Sequence, residues 1–160
     1  MIFYKRGSDS VILKALQQII SDRIACYELA MGQSIHIDID LRMALKNTVG
    51  SARLMQEKVA QRAGTATNRQ SYRIATIFYL NWTQLSMSMT GGTRNMIVDL
   101  CLKNEQSTIN RLARLVNKAL PRHAHLTAII EESANDCRRY LNQMELYREA
   151  RSFLETRIAC

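Results

Sequence analysis

Proline is nearly missing from this sequence: Pro121 is its only one in 160 residues, and glycine occurs six times. A chain so poor in helix breakers can form long helices, and an apolar content of 47% is enough to fill one core. No strand-like alternation of apolar and polar residues appears, and there is no internal repeat or low-complexity stretch. The opening MIFYKRGSDS lacks the apolar centre of a signal peptide. No apolar run approaches the roughly 20 residues of a membrane span. The expectation is a cytoplasmic protein without a membrane partner. Four cysteines, Cys26, Cys101, Cys137 and Cys160, are scattered without a C-x-x-C pair. Neither a zinc site nor a redox motif is spelled out, and Cys101 and Cys137 read as small apolar packing residues. No glycine-rich phosphate loop follows a strand, because Gly91-Gly92 lies between helical stretches.

What is present is helical periodicity. Asp9 or Ser10 can cap a first helix whose Leu13, Leu16, Ile20, Ile24, Tyr27 and Met31 recur at spacings of three and four, with Gly32 closing it. Asp38 or Asp40 starts a second helix, striped by Leu41, Leu45, Ala52, Met55 and Val59, which runs to Ala63 ahead of Gly64. From Gln70 to Met89 the pattern is helical and apolar nearly all round, through Ile74, Ile77, Phe78, Leu80, Trp82 and Leu85. Such a segment is either covered on two sides or an interface, which makes Phe78, Trp82, Leu85 and Met89 interface candidates. Thr93 opens a third helix to Leu120, and Pro121 sits at the start of a fourth that continues to Phe153. The organisation is a tail over 1–8, one helical bundle over 9–155 and a second tail over 156–160.

Around NWTQLSMSMTGGTRNMIVDLCLKNEQ the chain resembles a family of small bacterial ferritin-like proteins of unknown function. The likeness rests on Trp82, Leu85, the Thr90-Gly91-Gly92 turn, Ile97, Cys101, Glu105 and the Leu120-Pro121 pair, with Asp22 and Tyr27 in the first helix. It spans residues 9 to 150. It implies an all-α, ferritin-like four-helix bundle in which Gln70 to Met89 is an additional crossover helix between the second and third bundle helices. A helix of that length covers roughly 30 Å, about what a crossover must travel.

Glu105 is the residue that chemistry must account for. At about 100° per residue, the third helix has an apolar arc set by Ile97, Cys101, Leu112, Leu115, Val116 and Ala119, and Glu105 lies near its centre. The other helices offer no matching carboxylate. Glu57 points away from the second helix's stripe, Asp22 and Glu28 sit on opposite rims of the first, and Glu131, Glu132 and Asp136 fall to the sides of the fourth. A ferritin-type dinuclear site needs inward glutamates from two helices and a Glu-x-x-His from each of the others. Ala60 follows Glu57 at that spacing, and Ala134 and Asn135 follow Glu131 and Glu132. His36 opens the second helix whereas His123 and His125 open the fourth, on the order of 30 Å away, where they read as first-turn surface residues. The metal site is therefore degenerate, with Glu105 its one weak candidate, and no cofactor is expected.

An unpaired buried carboxylate is costly or turns neutral, so Glu105 needs a partner. Arg23 and Tyr27 lie on the first helix's apolar face at nearly the same height, which suggests a buried Arg23/Glu105/Tyr27 cluster. The alternative has Arg23 reaching outward and Glu105 meeting water or a tyrosine such as Tyr72 or Tyr140. A formal charge of +8 and the stripe Arg111, Arg114, Lys118 and Arg122 admit a nucleic-acid partner, although no aromatic residues interleave with the stripe. The sequence thus points to a non-catalytic bundle acting through self-association or a protein partner. A basic nucleic-acid-associated protein is the alternative, and a di-metal carboxylate oxidase the second alternative.

Overall fold

The computed structural model describes residues 4–33, 39–64 and 94–158. They form four α-helices and, among the described residues, no strand: α1 (Tyr4–Gln33), α2 (Ile39–Ala63), α3 (Arg94–Ala119) and α4 (Ala124–Ile158). The proposed crossover stretch, with Phe78, Trp82, Leu85 and Met89, lies outside the described residues.

Two helix ends follow directly from their chemistry. Gly64 takes φ +64°, a left-handed conformation that costs glycine nothing, and its N–H bonds the Gln61 carbonyl as α2 stops. Pro121 has no N–H to continue α3. The turn around it is closed by the His123 N–H on the Ala119 carbonyl at 2.7 Å, and the His123 carbonyl then accepts from Leu126 at 2.8 Å as α4 begins. At the other end of the chain α1 begins at Tyr4, ahead of the cap expected at Asp9 or Ser10. Asp9 sits inside the helix and spends its carboxylate on two histidines instead. Likewise α4 runs to Ile158, beyond Phe153.

Side-chain contacts fix the helix directions. Asp9, early in α1, meets His123 and His125 at the start of α4, and Arg62, at the end of α2, donates to the His125 carbonyl. At the opposite end the Tyr147 hydroxyl donates to the Asp40 carbonyl at the start of α2, while the Arg94 guanidinium stands over the Tyr147 ring. Hence α1 and α4 run one way, α2 and α3 the other. The end of α2 and the start of α3 lie at opposite ends of a bundle about 35 Å long.

The core is built from one stripe per helix: Leu13, Leu16, Ile20 and Ala30 from α1, Leu41, Leu45, Ala52 and Val59 from α2, Ile97, Cys101, Leu112 and Leu115 from α3, and Leu126, Ile130, Cys137 and Met144 from α4. Each such side chain gains roughly 1.5–3 kcal/mol from burial before entropy is counted. Inward hydroxyls disturb this little, because Thr48, Thr108 and Ser133 each donate to the carbonyl one turn back, on Ala44, Asn104 and Ile129. The buried Arg23 and Glu105 have no such local solution. They must find one another across helices.

Candidate functional site

Arg23, two-thirds of the way along α1, and Glu105, near the middle of α3, occupy inward positions, and both are buried, Glu105 completely. The Arg23 Nε donates to Glu105 Oε1 at 2.8 Å, and its Nη1 donates to Asp136 Oδ2 on α4 at 2.7 Å. One guanidinium thus joins three helices. The fourth is tied in by Ser51 of α2, whose hydroxyl donates to Asp136 Oδ1 at 2.7 Å, and Arg139 reaches the same carboxylate from its exposed side. The Tyr140 ring lies 5.6 Å from the Arg23 guanidinium carbon, covering the cation with a π face, and its hydroxyl donates to the Asn47 carbonyl.

Tyr27, one turn beyond Arg23, is fully buried. Its hydroxyl and the Cys137 thiol face Glu105 closely enough to stabilise its charge as donors, yet neither makes a well-aligned bond to Oε2. The Arg23 Nη2 likewise has no well-aligned protein acceptor. Of the sequence-derived trio, then, Arg23 and Glu105 are ion-paired and Tyr27 is an electrostatic neighbour.

The two carboxylates respond to their surroundings in opposite directions. Burial pushes the Glu105 proton affinity up, and Arg23, Tyr27 and Cys137 offset only part of that, so its pKa ends above the usual value. Burial also works against the Asp136 charge, but hydrogen bonds from Arg23 and Ser51 and the charges of Arg23 and Arg139 outweigh it, and its pKa falls. Burial opposes the charge of Arg23 too. Glu105 and Asp136 reverse this, and the guanidinium holds its proton more tightly than in water. Desolvation, followed by the nearby Glu105 charge, raises the Tyr27 hydroxyl well above its ordinary value. The Cys101 and Cys137 thiols are raised chiefly by burial, which keeps them protonated and poorly nucleophilic.

Asp136 is the member that sequence reasoning missed. It stands on the rim of the α4 stripe rather than at its centre, and only the approach of α1 and α2 turns that rim into an interior. The available signal was its place immediately before Cys137 and four residues before Tyr140, both inward. His123 also departs from expectation: it is buried, not a surface residue, and its ring pairs with Asp9 of α1. Partial desolvation raises the Asp9 pKa, but the hydrogen bonds and charges of His123 and His125 prevail and lower it.

Beside Asp136 a cleft of about 460 Å³ opens between α2 and α4, lined by Ser51, Leu54, Met55, Lys58, Glu132 and Arg139 among others. Lys58 and Glu132 bridge its walls at 2.6 Å. Among the described residues, no three His, Cys, Asp or Glu side chains are grouped to hold a metal ion. No described helix is long and apolar enough to cross a membrane. The basic stripe is thinner than its sequence suggests, since Arg111 turns to Asp22 at 2.8 Å, leaving Arg114, Lys118 and Arg122 exposed. No family model, curated protein or solved structure matches this chain.

Chemically, the cluster suits holding rather than reacting. Glu105, the carboxyl with raised proton affinity, is sealed from solvent, whereas Asp136, which borders the cleft, is held ionised and is a weak base.

Proposed function

We propose that the chain is a ferritin-like bundle, related in plan to the small bacterial proteins it resembles, with residues 70–89 as the crossover helix, and that it works by association rather than catalysis. The observation that carries this reading is the Arg23 guanidinium between Glu105 and Asp136. In a ferritin-type centre inward carboxylates face two metal cations. Here a fixed organic cation of the chain itself neutralises them, which suits a degenerate site kept as a structural tie. The helix directions support the crossover, because the stretch between α2 and α3 joins opposite ends of the bundle. The remaining activity of such a bundle is recognition, and a second copy of the chain is its simplest partner.

Metal analysis of the natively purified protein, with its mass in solution, tests this. The expected result is no stoichiometric iron or manganese and a homodimer that survives about 0.5 M salt, since apolar burial is not screened. Two metal ions per chain, lost on Glu105→Gln, would contradict it. So would a monomer that binds duplex DNA with a log-log salt slope of about 0.9 per phosphate contact, pointing to Arg114, Lys118 and Arg122.

A further inference from the structure

The outer face of α2 carries large apolar residues that are exposed. Ile39, Met43 and Leu54 are 80%, 53% and 62% exposed. Between Met43 and Leu54, and facing the same way, is Gly50, where an added Cβ would meet nothing within 4 Å. A glycine inside a helix costs roughly 0.5–1 kcal/mol relative to alanine. No packing among the described residues requires this one.

We propose that this face is a two-fold docking surface for a second copy of the chain, with α2 packed antiparallel on its counterpart and the symmetry axis passing at Gly50. The proposal rests on the association reading above and specifies its surface. At about 100° per residue, Gly50 lies opposite the buried α2 stripe, Met43 and Leu54 lie on the flank towards α4, and Lys46 and Glu57 lie on the flank towards α1. A two-fold axis in the interface and perpendicular to the helices reverses chain direction while keeping each flank on its own side. With Gly50 against Gly50, Met43 therefore faces Leu54 of the second copy, and Lys46 faces Glu57 of the second copy, each pair offset by only about 4.5 Å along the helix. Both pairs occur twice by symmetry. The face thus meets itself through Met43–Leu54 and Lys46–Glu57 pairs, while Arg53 on the same flank has its charge paired within the chain by Glu28. Lys46 and Glu57 are exposed and make no ion pair among the described residues, so both are available for this pairing. The absent side chain at Gly50 lets the two helix backbones approach closely at the axis.

One helix pair buries less than the roughly 1,600 Å² of a standard interface, so the dimer belongs in the micromolar range. Sedimentation across that range tests it. Gly50→Glu places two like charges against each other on the axis, while adding a better helix former at an open position. It should weaken dimerisation at least about tenfold with helicity and thermal stability retained. Lys46→Glu should weaken it, and Lys46→Glu with Glu57→Lys should restore it. A dimer indifferent to Gly50→Glu but lost in Trp82→Ala/Leu85→Ala would move the contact to residues 70–89, overturning this inference while sparing association. A wild-type chain monomeric to about 500 µM would overturn both.

Discussion

The centre of the bundle and its rim use the same ion pairs to different effect. At the rim, Arg53 of α2 meets Glu28 of α1 and Lys58 of α2 meets Glu132 of α4, all with side chains about half exposed. At the centre, Arg23 meets Glu105 and Asp136 with side chains 4%, 0% and 7% exposed. Rim charges keep most of their hydration when a pair opens, so each pair is worth about 0–1 kcal/mol. Central charges lose their water on folding and depend on one another. Whether the central cluster adds net stability over an apolar core is a separate matter, because desolvation consumes much of the attraction. Its clearer consequence is specificity. Arg23, Glu105, Asp136 and Ser51 come from four different helices and are brought into contact together in only one register.

The largest expected effect comes from removing the shared cation. Arg23→Leu leaves Glu105 and Asp136 without their common partner, and chemical denaturation should show a loss of about 3–5 kcal/mol. A loss below 1 kcal/mol would place the centre in the same class as the rim.

Titration gives an intermediate effect and sharpens the contrast between the two carboxylates. Asp136 has a folded pKa below its ordinary 3.8, so its contribution is present above that value and is lost as pH falls through the folded value. Glu105 has a folded pKa above its ordinary 4.5, so its contribution is complete below 4.5 and is lost as pH rises through the folded value. Urea midpoints measured from acid to neutral pH should therefore lose part of their rising acid limb in Asp136→Asn, and part of their falling limb above it in Glu105→Gln. Identical profiles in both variants would mean that the two sites are not electrostatically distinct.

The smallest effect belongs to the rim. Arg53→Ala should change stability by less than about 1 kcal/mol, and that difference should vanish in high salt. A salt-resistant loss of several kcal/mol would break the distinction between centre and rim.

Much of the fold is legible because helix stripes repeat at three and four, and Gly64 and Pro121 mark their own helix boundaries. The inward position of Glu105 follows from rotating α3 alone. What rotation leaves out is which neighbour meets the rim of a stripe. Asp136 therefore reads as peripheral until α1 and α2 are in place, and Asp22 and Glu28 resolve into contacts with Arg111 on α3 and Arg53 on α2. His123 was illegible for a related reason. A first-turn histidine looks solvent-facing unless the partner at its far end, Asp9, is known to lie within α1 rather than to cap it.

One buried guanidinium ties the bundle together through Glu105. A double-mutant cycle on Arg23→Leu and Glu105→Leu measures that tie directly, because the double variant removes both charges where each single variant strands one. A coupling of about 2–3 kcal/mol is expected, with the double variant more stable than the sum of the single losses implies. Losses that add to within about 0.5 kcal/mol would show that Arg23 and Glu105 do not depend on each other, and would contradict it.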